Sequence, residues 1–152
     1  MNRRFALLLC LALLPVVAIA EPDPPLPPAA ESARLRGDLK VLSIALKITP
    51  DNEIKCTDWK MAKADARTFF RLARPVPGEE WHHEYYVMPC DYEGKLVLAG
   101  ETYEFRINGG SHAWLFTTSE PRVARIFGCP RGCQRLFVPF ESFRPGAAPP
   151  EG

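Results

Sequence analysis

The sequence predicts an α+β fold in which an antiparallel sheet of about five strands carries one α-helix on one face, with two disulfides. Three observations predict it: one stretch of helical periodicity, several short strand-like runs, and an even number of cysteines after the leader. Parallel neighbours need long crossovers, so the short connections between successive runs favour an antiparallel meander. A helix set beside such a meander is typical of the α+β class.

The first twenty residues predict a signal peptide. Arg3 and Arg4 precede an apolar run at 5–17, and Ala18-Ile19-Ala20 has the small-x-small pattern of a cleavage site. The run is shorter than the roughly 20 residues of a membrane-spanning helix. We therefore expect a periplasmic or secreted protein with no membrane anchor after cleavage.

Composition sets the expected domain limits. Residues 21–35 are proline-rich and predict a disordered linker, and residues 145–152 predict a disordered tail. Residues 36–144 then form a single α+β domain.

Charge and glycine patterns exclude several classes of partner. The formal charge of +1 falls to about −1 when the two arginines of the signal peptide are removed. Because no basic stripe is present, nucleic acid is not an expected partner. No phosphate-binding glycine loop occurs, so no nucleotide or organic cofactor is expected.

The first strand and the helix follow from periodicity. Residues 42–48 alternate apolar and polar side chains, the pattern of a half-buried strand with Leu42 and Ile48 on its inner face. Residues 57–74 change to spacings of three and four, which predicts a helix capped by Thr57 or Asp58. The apolar face of this helix consists of Trp59, Ala62, Ala66, Phe69, Phe70 and Ala73.

The rest of the chain predicts strands joined by turns. Aromatic and β-branched residues dominate these runs, and glycine or proline separates them. The predicted strands are residues 81–88, 95–98, 103–108, 112–117 and 122–127.

The glycine pair at 109–110 predicts a two-residue hairpin turn. In that register Phe105 faces Trp114 and Ile107 faces His112, while Ser111 lies on the opposite face. Two side chains on opposite faces of a sheet cannot act as nucleophile and base, so no catalytic residue is expected. A three-residue loop would invalidate this register. The predicted core of the hairpin is Phe105, Ile107, Trp114 and Phe116.

Four cysteines remain once Cys10 is removed with the signal peptide, and an exported domain with four cysteines predicts two disulfides in one of three pairings. The favoured pairing joins Cys56 to Cys90 and Cys129 to Cys133, because Pro130 and Gly132 let the chain turn back between the last two. A redox pair or a zinc site is the alternative, although both prefer other cysteine spacings.

The histidines offer an alternative function, a metal-binding periplasmic protein. His82 or His83 meets His112 across the sheet in this hypothesis. In a strand the two adjacent histidines point to opposite faces, so only one of them takes part.

A larger pattern runs from Cys56-x-x-Trp59 through Phe69-Phe70, His82-His83 and Pro89-Cys90 to the segment 103–110, Tyr-x-Phe-x-Ile-Asn-x-Gly. It resembles small exported bacterial proteins of uncharacterised function, some of which look like immunity or inhibitor proteins. The resemblance covers about residues 41–116 and implies a fold and a compartment. It carries over no catalytic residue.

The function that the sequence predicts is a non-enzymatic binding module of the cell envelope with a protein partner, and an immunity or inhibitor role is one form of this function. Aromatic side chains such as Trp81, Tyr85 and Tyr86 are frequent anchors of interfaces, and protruding loops are accessible to partners. The candidate binding residues are Trp81, Tyr85, Asn108, Gly109, Gly110, Ser111 and Arg131.

Overall fold

The computed structural model describes residues 37–49 and 55–143. The predicted signal peptide, linker and tail lie outside these residues. In the described part, none of the helices is long and apolar enough to span a membrane.

The described residues form six strands, two α-helices and three 3₁₀ segments. The strands are β1 Leu39–Ile48, β2 Arg74–Pro75, β3 Cys90–Leu98, β4 Glu101–Asn108, β5 His112–Thr117 and β6 Ala124–Gly128. The helices are α1 Lys63–Leu72 and α2 Gly78–Glu84, and the 3₁₀ segments are Cys56–Asp58, Gln134–Leu136 and Val138–Phe143.

All six strands belong to one sheet with the order β1-β3-β4-β5-β6-β2, and each neighbouring pair is antiparallel. The predicted α+β class and the antiparallel meander are therefore confirmed. Five of these strands correspond to predicted ones, and the sixth is the short β2, which pairs Arg74 with Gly128 and Pro75 with Phe127. A two-residue strand that contains proline leaves no periodic pattern in the sequence.

The main core lies between α1 and one face of the sheet. Phe69 and Phe70 of α1 are fully buried, and the Phe70 ring lies edge-on to Phe105 at 5.6 Å and to Phe127 at 6.3 Å between centroids. Trp59 extends this core, with ring contacts to Tyr92, Phe137 and Phe140. Edge-on contacts of this kind add to the free energy of burying the rings.

Helix α1 begins four or five residues later than a cap at Asp58 or Thr57 predicts, because its N-cap is Ala62. The Tyr92 hydroxyl donates to the Trp59 carbonyl at 3.0 Å and accepts from the Met61 amide at 3.2 Å, which holds residues 59–61 extended. The helix then starts at Lys63, where the Asp65 carboxylate accepts from the Ala62 amide at 2.8 Å. The predicted apolar face is correct inside the helix, since its three fully buried residues are Ala66, Phe69 and Phe70.

A bulge in β1 corrects the predicted inner face of that strand. The register with β3 shifts between Val41 and Ser43, so the side-chain alternation changes phase at Leu42. Leu39 and Val41 are buried before the bulge, whereas Leu42 is 40% exposed. Ile48, also expected inside, is exposed at the end of the strand.

The predicted strand at 81–88 is wrong. The first four of these residues complete α2, and a segment without regular secondary structure follows them to Pro89. Helix α2 has Glu79 and Glu80 in its first turn and His82 and His83 in its last turn. Acidic residues at the start and basic residues at the end of a helix are stabilised by the helix dipole. This charge order was the signal in favour of a helix.

The hairpin between β4 and β5 has a three-residue loop, and the predicted register is wrong by one residue. Phe105 pairs with Leu115, Ile107 with Ala113, and Asn108 with His112. Ser111 adopts a positive φ of 67°, the conformation that closes a three-residue hairpin loop. The shift moves Trp114 and Phe116 to the face opposite the main core, where both are half-buried.

Both predicted disulfides are present. Cys56 is bonded to Cys90 with a Cα–Cα distance of 5.6 Å, and Cys129 is bonded to Cys133 with a Cα–Cα distance of 6.0 Å. All four cysteines are buried. Cys90 begins β3 and Cys129 directly follows β6, so both bonds lie at the same end of the sheet as the loop 109–111.

Candidate functional site

The predicted exposed loop at residues 108–111 is buried, which corrects the largest group of candidate binding residues. Asn108 and Ser111 are at most 1% exposed, and Gly109 and Gly110 are also buried. The segment 85–89 and the 3₁₀ segment Val138–Phe143 pack over the loop, since Tyr86, Met88 and Phe140 border its glycines. These four residues do not protrude toward a partner.

The Asn108 side chain joins the segment 85–89 to the sheet. Its Oδ1 atom accepts from the amides of Met88 at 2.8 Å and Gly110 at 3.0 Å. Its Nδ2 atom donates to the Met88 carbonyl at 2.8 Å and to the Asp91 carboxylate at 2.9 Å. The amide therefore satisfies its own buried polar atoms and fixes the backbone on both sides of Met88. Burial raises the pKa of the Asp91 carboxyl, and the bond from Asn108 partly offsets that rise.

The two glycines of the loop allow this close packing. A Cβ at Gly110 would overlap the Tyr86 carbonyl oxygen, and a Cβ at Gly109 would lie 2.9 Å from the Phe140 ring and 3.1 Å from Met88 Cβ. The chain thus needs glycine here for close backbone approach.

Ser111 and His112 do not form a nucleophile–base pair. The Ser111 hydroxyl donates to the Cys129 carbonyl at 2.8 Å, and His112 Nδ1 lies 3.4 Å from the Gly110 carbonyl. The serine therefore ties the hairpin loop to the second disulfide.

Exposed apolar side chains lie around the end of the sheet that carries the loop 109–111 and both disulfides. Ile48 pairs with Cys90, and the Thr49 amide donates to the Pro89 carbonyl at 2.8 Å. Tyr86 borders Gly110, and Met88 and Phe140 both border Gly109, which brings the segments 86–89 and 138–140 together. We name as the hairpin-end surface the exposed residues Ile48, Tyr86, Val87 and Val138.

Arg131 is exposed in the turn between Cys129 and Cys133, as expected for a candidate contact. Gly132 has a positive φ of 88°, and the nearest neighbour of a Cβ there would be Leu72 Cδ1 at 3.8 Å. The partly exposed Leu72 side chain therefore borders the same turn.

Trp81 and Tyr85 pack inward, on the face of the sheet opposite the main core. Trp81 lies edge-on to His112 at 5.7 Å and to Trp114 at 5.5 Å between ring centroids. Tyr85 lies edge-on to His112 at 5.7 Å, and the His112 and Trp114 rings are 4.6 Å apart. We call these four residues the aromatic cluster.

Burial dominates the chemistry of the aromatic cluster. His112 is fully buried, and desolvation lowers its pKa to about 4. Burial raises the pKa of Tyr85 to about 12. Three buried polar atoms of the cluster have no hydrogen-bond partner among the residues that the structure describes: Trp81 Nε1, the Tyr85 hydroxyl oxygen and His112 Nε2.

In the residues that the structure describes, no three His, Cys, Asp or Glu side chains come together. The metal-binding alternative therefore lacks a ligand cluster there. His82 and His83 are exposed on α2, with ring centroids 5.7 Å apart, whereas His112 is enclosed by aromatic rings.

A charged groove of about 300 Å³ is lined largely by residues of β3 and β4, together with Phe116 and Arg122. Its cations are matched by neighbouring carboxylates: Arg106 contacts Glu93 at 2.8 Å, and Arg122 contacts Glu104 at 2.6 Å. Arg122 also lies over the Phe116 ring at 4.6 Å. Because the charges pair internally, the groove favours no single sign of ligand.

Comparison with known proteins adds no assignment: no protein-family model, no curated protein and no solved structure matches this chain. The geometry of its own residues therefore has to support any function.

The sequence interpretation missed three members of the hairpin-end surface, Ile48, Val87 and Val138. A usable signal was present at residues 85–88, where four consecutive large apolar residues precede Pro89. Tyr85 and Met88 of this run are buried, whereas the two residues between them are exposed.

Proposed function

We propose that this protein is an exported, non-enzymatic binding module of the cell envelope that docks its hairpin-end surface onto a protein partner. A role as an immunity or inhibitor protein follows if that docking blocks the partner's activity. The observation that carries the proposal is the coincidence of exposed apolar side chains with the most cross-linked end of the fold.

Rigidity at this end favours binding. Two disulfides, the Asn108 bonds and the bond from Ser111 to Cys129 fix the segments that present the surface. A surface ordered before association loses less conformational entropy when it docks.

The exposed residues supply the apolar area. Val87 and Val138 are each 64% exposed and Tyr86 is 59% exposed. Contiguous exposed apolar side chains mark sites of protein association, and tyrosine is frequent among the residues that contribute most binding energy.

Site-specific photo-crosslinking in the exporting cell tests the proposal. A photoreactive phenylalanine analogue replaces Val87 in one variant and Val123 in the other. Val123 is a valine of 44% exposure beside Thr117, at the opposite end of β5. We expect a discrete protein adduct from position 87 and none from position 123.

A second measurement tests the chemistry of the contact. Once the partner is identified by mass spectrometry, Val87→Asp places a charge in the apolar interface, whereas Val123→Asp does not. We expect the first variant to weaken binding at least tenfold and the second to leave it unchanged. Equal adducts from both positions, or unchanged affinity of Val87→Asp, would refute docking through this surface.

A further inference from the structure

The aromatic cluster contains an unusual grouping of polar atoms. Trp81 Nε1, the Tyr85 hydroxyl oxygen and His112 Nε2 are all buried and have no hydrogen-bond partner in the described ranges 37–49 and 55–143. Folded proteins satisfy most buried polar atoms with protein groups or bound solvent. Three such atoms on rings in contact indicate one shared cause.

The hydrogen-bonding capacities of these atoms define what satisfies them. An indole N–H only donates, whereas a phenol hydroxyl donates and accepts. His112 Nδ1 faces the Gly110 carbonyl at 3.4 Å, so the proton of the neutral ring belongs on Nδ1 and Nε2 accepts. A carboxylate or a fully ionised phosphate monoester only accepts and would leave Nε2 unsatisfied, and an ammonium only donates and would leave Trp81 unsatisfied. A hydroxyl group, which does both, matches the set.

The fold brings the three groups together. Trp81 and Tyr85 are four residues apart, with the Tyr85 amide donating to the Trp81 carbonyl at 3.2 Å, so they lie on the same side of α2. Both rings contact His112 at 5.7 Å. Gly128 pairs with His112, and any side chain at Gly128 would overlap the Tyr85 hydroxyl.

We propose that the site between α2 and β5 binds one hydroxyl group, which accepts from Trp81 and Tyr85 and donates to His112 Nε2. Either a buried water molecule or the hydroxyl of an alcohol or sugar has this chemistry. The inference is independent of docking through the hairpin-end surface.

Two tyrosines provide a matched test. Tyr85 and Tyr92 are both 7% exposed, but the Tyr92 hydroxyl has two protein partners, the Trp59 carbonyl and the Met61 amide. Tyr92→Phe therefore measures the loss of a satisfied buried hydroxyl, which we expect to lower Tm by several degrees. If Tyr85 also bonds to a bound hydroxyl, Tyr85→Phe lowers Tm to a similar extent. An unchanged or raised Tm for Tyr85→Phe overturns the proposal, because removing an unsatisfied hydroxyl costs nothing.

The Tm of the wild type and of Tyr85→Phe, each measured with and without glycerol or glucose, distinguishes a bound water molecule from a ligand hydroxyl. These cosolvents stabilise proteins generally, so the informative quantity is the difference between the wild type and Tyr85→Phe. A larger rise in the wild type supports a ligand hydroxyl, and equal rises support water.

Nitrogen NMR of the wild-type protein gives a test that needs no variant. We expect the shift of a hydrogen-bonded, unprotonated Nε2 at His112 and slow solvent exchange of the Trp81 indole proton. An Nε2 shift typical of a nitrogen without a hydrogen bond overturns the proposal.

Discussion

Asn108 shows how one buried amide organises an end of this sheet. Its Oδ1 and Nδ2 atoms bond to both backbone polar groups of Met88 as well as to Gly110 and Asp91. An amide is the one uncharged side-chain group that offers two donors and an acceptor from neighbouring atoms. Asn108, which the sequence interpretation places among the binding residues of an exposed loop, therefore has a structural role. It fixes the segment 85–89, and Tyr86 and Val87 of the hairpin-end surface lie on that segment.

At the residue scale, His112 makes stability depend on pH. Burial lowers its pKa to about 4 from the ordinary value of 6.5. Between these values the unfolded chain binds a proton that the folded protein does not bind. We therefore expect the free energy of unfolding to fall as pH drops from 6.5 to 4, by up to about 3 kcal/mol. Urea unfolding at a series of pH values measures this slope.

His112→Phe is the control for that slope, since phenylalanine keeps an aromatic ring at the site and does not titrate. The raised pKa of Asp91 acts in the opposite direction, stabilising the fold as pH falls, and is common to both proteins. Their difference isolates the histidine. The same slope in both proteins would contradict the assignment.

At the element scale, the loop of the β4–β5 hairpin depends on glycine for space. In Gly110→Ala the new methyl group overlaps the Tyr86 carbonyl, so the segment 85–89 has to move. We expect a loss of about 2–4 kcal/mol, in the range of a disrupted buried network. Equilibrium unfolding in urea gives the value.

Gly78→Ala is the matched substitution in the same protein. Gly78 is the first residue of α2, and no atom lies within 4 Å of a Cβ placed there. Alanine has the higher helix propensity, so we expect a gain of up to about 1 kcal/mol. A similar loss at both positions would mean that steric overlap is not the cause at Gly110.

The same hairpin marks the limit of prediction from sequence. The strands at 103–108 and 112–117 follow from alternation, and Phe105 and Ile107 are buried as predicted. The register depends on one residue, Ser111, whose positive φ adds it to the loop. Since the faces of a strand alternate at every residue, this single difference turned Trp114 and Phe116 away from the main core. Tertiary packing decides such a choice, and local pattern does not contain it.

Helix α2 was missed for a related reason. Its seven residues are too few for a clear helical period, and none of them is fully buried. Aromatic residues at 81, 85 and 86 also have high strand propensity. The aromatic cluster could not be predicted without this helix. Trp81 and Tyr85 lie on the same side because they are separated by four residues, about one helical turn.

At the scale of the whole molecule, the two disulfides contribute unequally to stability. The chain-entropy relation gives nearly 4 kcal/mol for the Cys56–Cys90 loop and about 2 kcal/mol for the Cys129–Cys133 loop. The sequence separations are 34 and 4 residues. We expect the Cys56→Ala/Cys90→Ala double variant to lose more stability than Cys129→Ala/Cys133→Ala in urea unfolding. The reverse order would show that native packing outweighs loop length here.

The fold class and the disulfide pairing were the global features that the sequence could predict. Cysteine spacing and short connections depend on chain length and composition, which the sequence contains directly. The binding surface depends instead on which segments cover others: residues 108–111 are glycine-rich and polar, yet lie beneath segments 85–89 and 138–140.

The two edges of the sheet limit how copies of this protein associate. At one edge β2 offers only two paired residues and contains Pro75, which has no amide hydrogen to donate. At the other edge β1 carries a bulge and the exposed lysines Lys40 and Lys47. Bulges, lysines and prolines at sheet edges hinder strand-to-strand polymerisation. These edge features disfavour amyloid-like growth at high local concentration, while the hairpin-end surface stays exposed at one end of the strands.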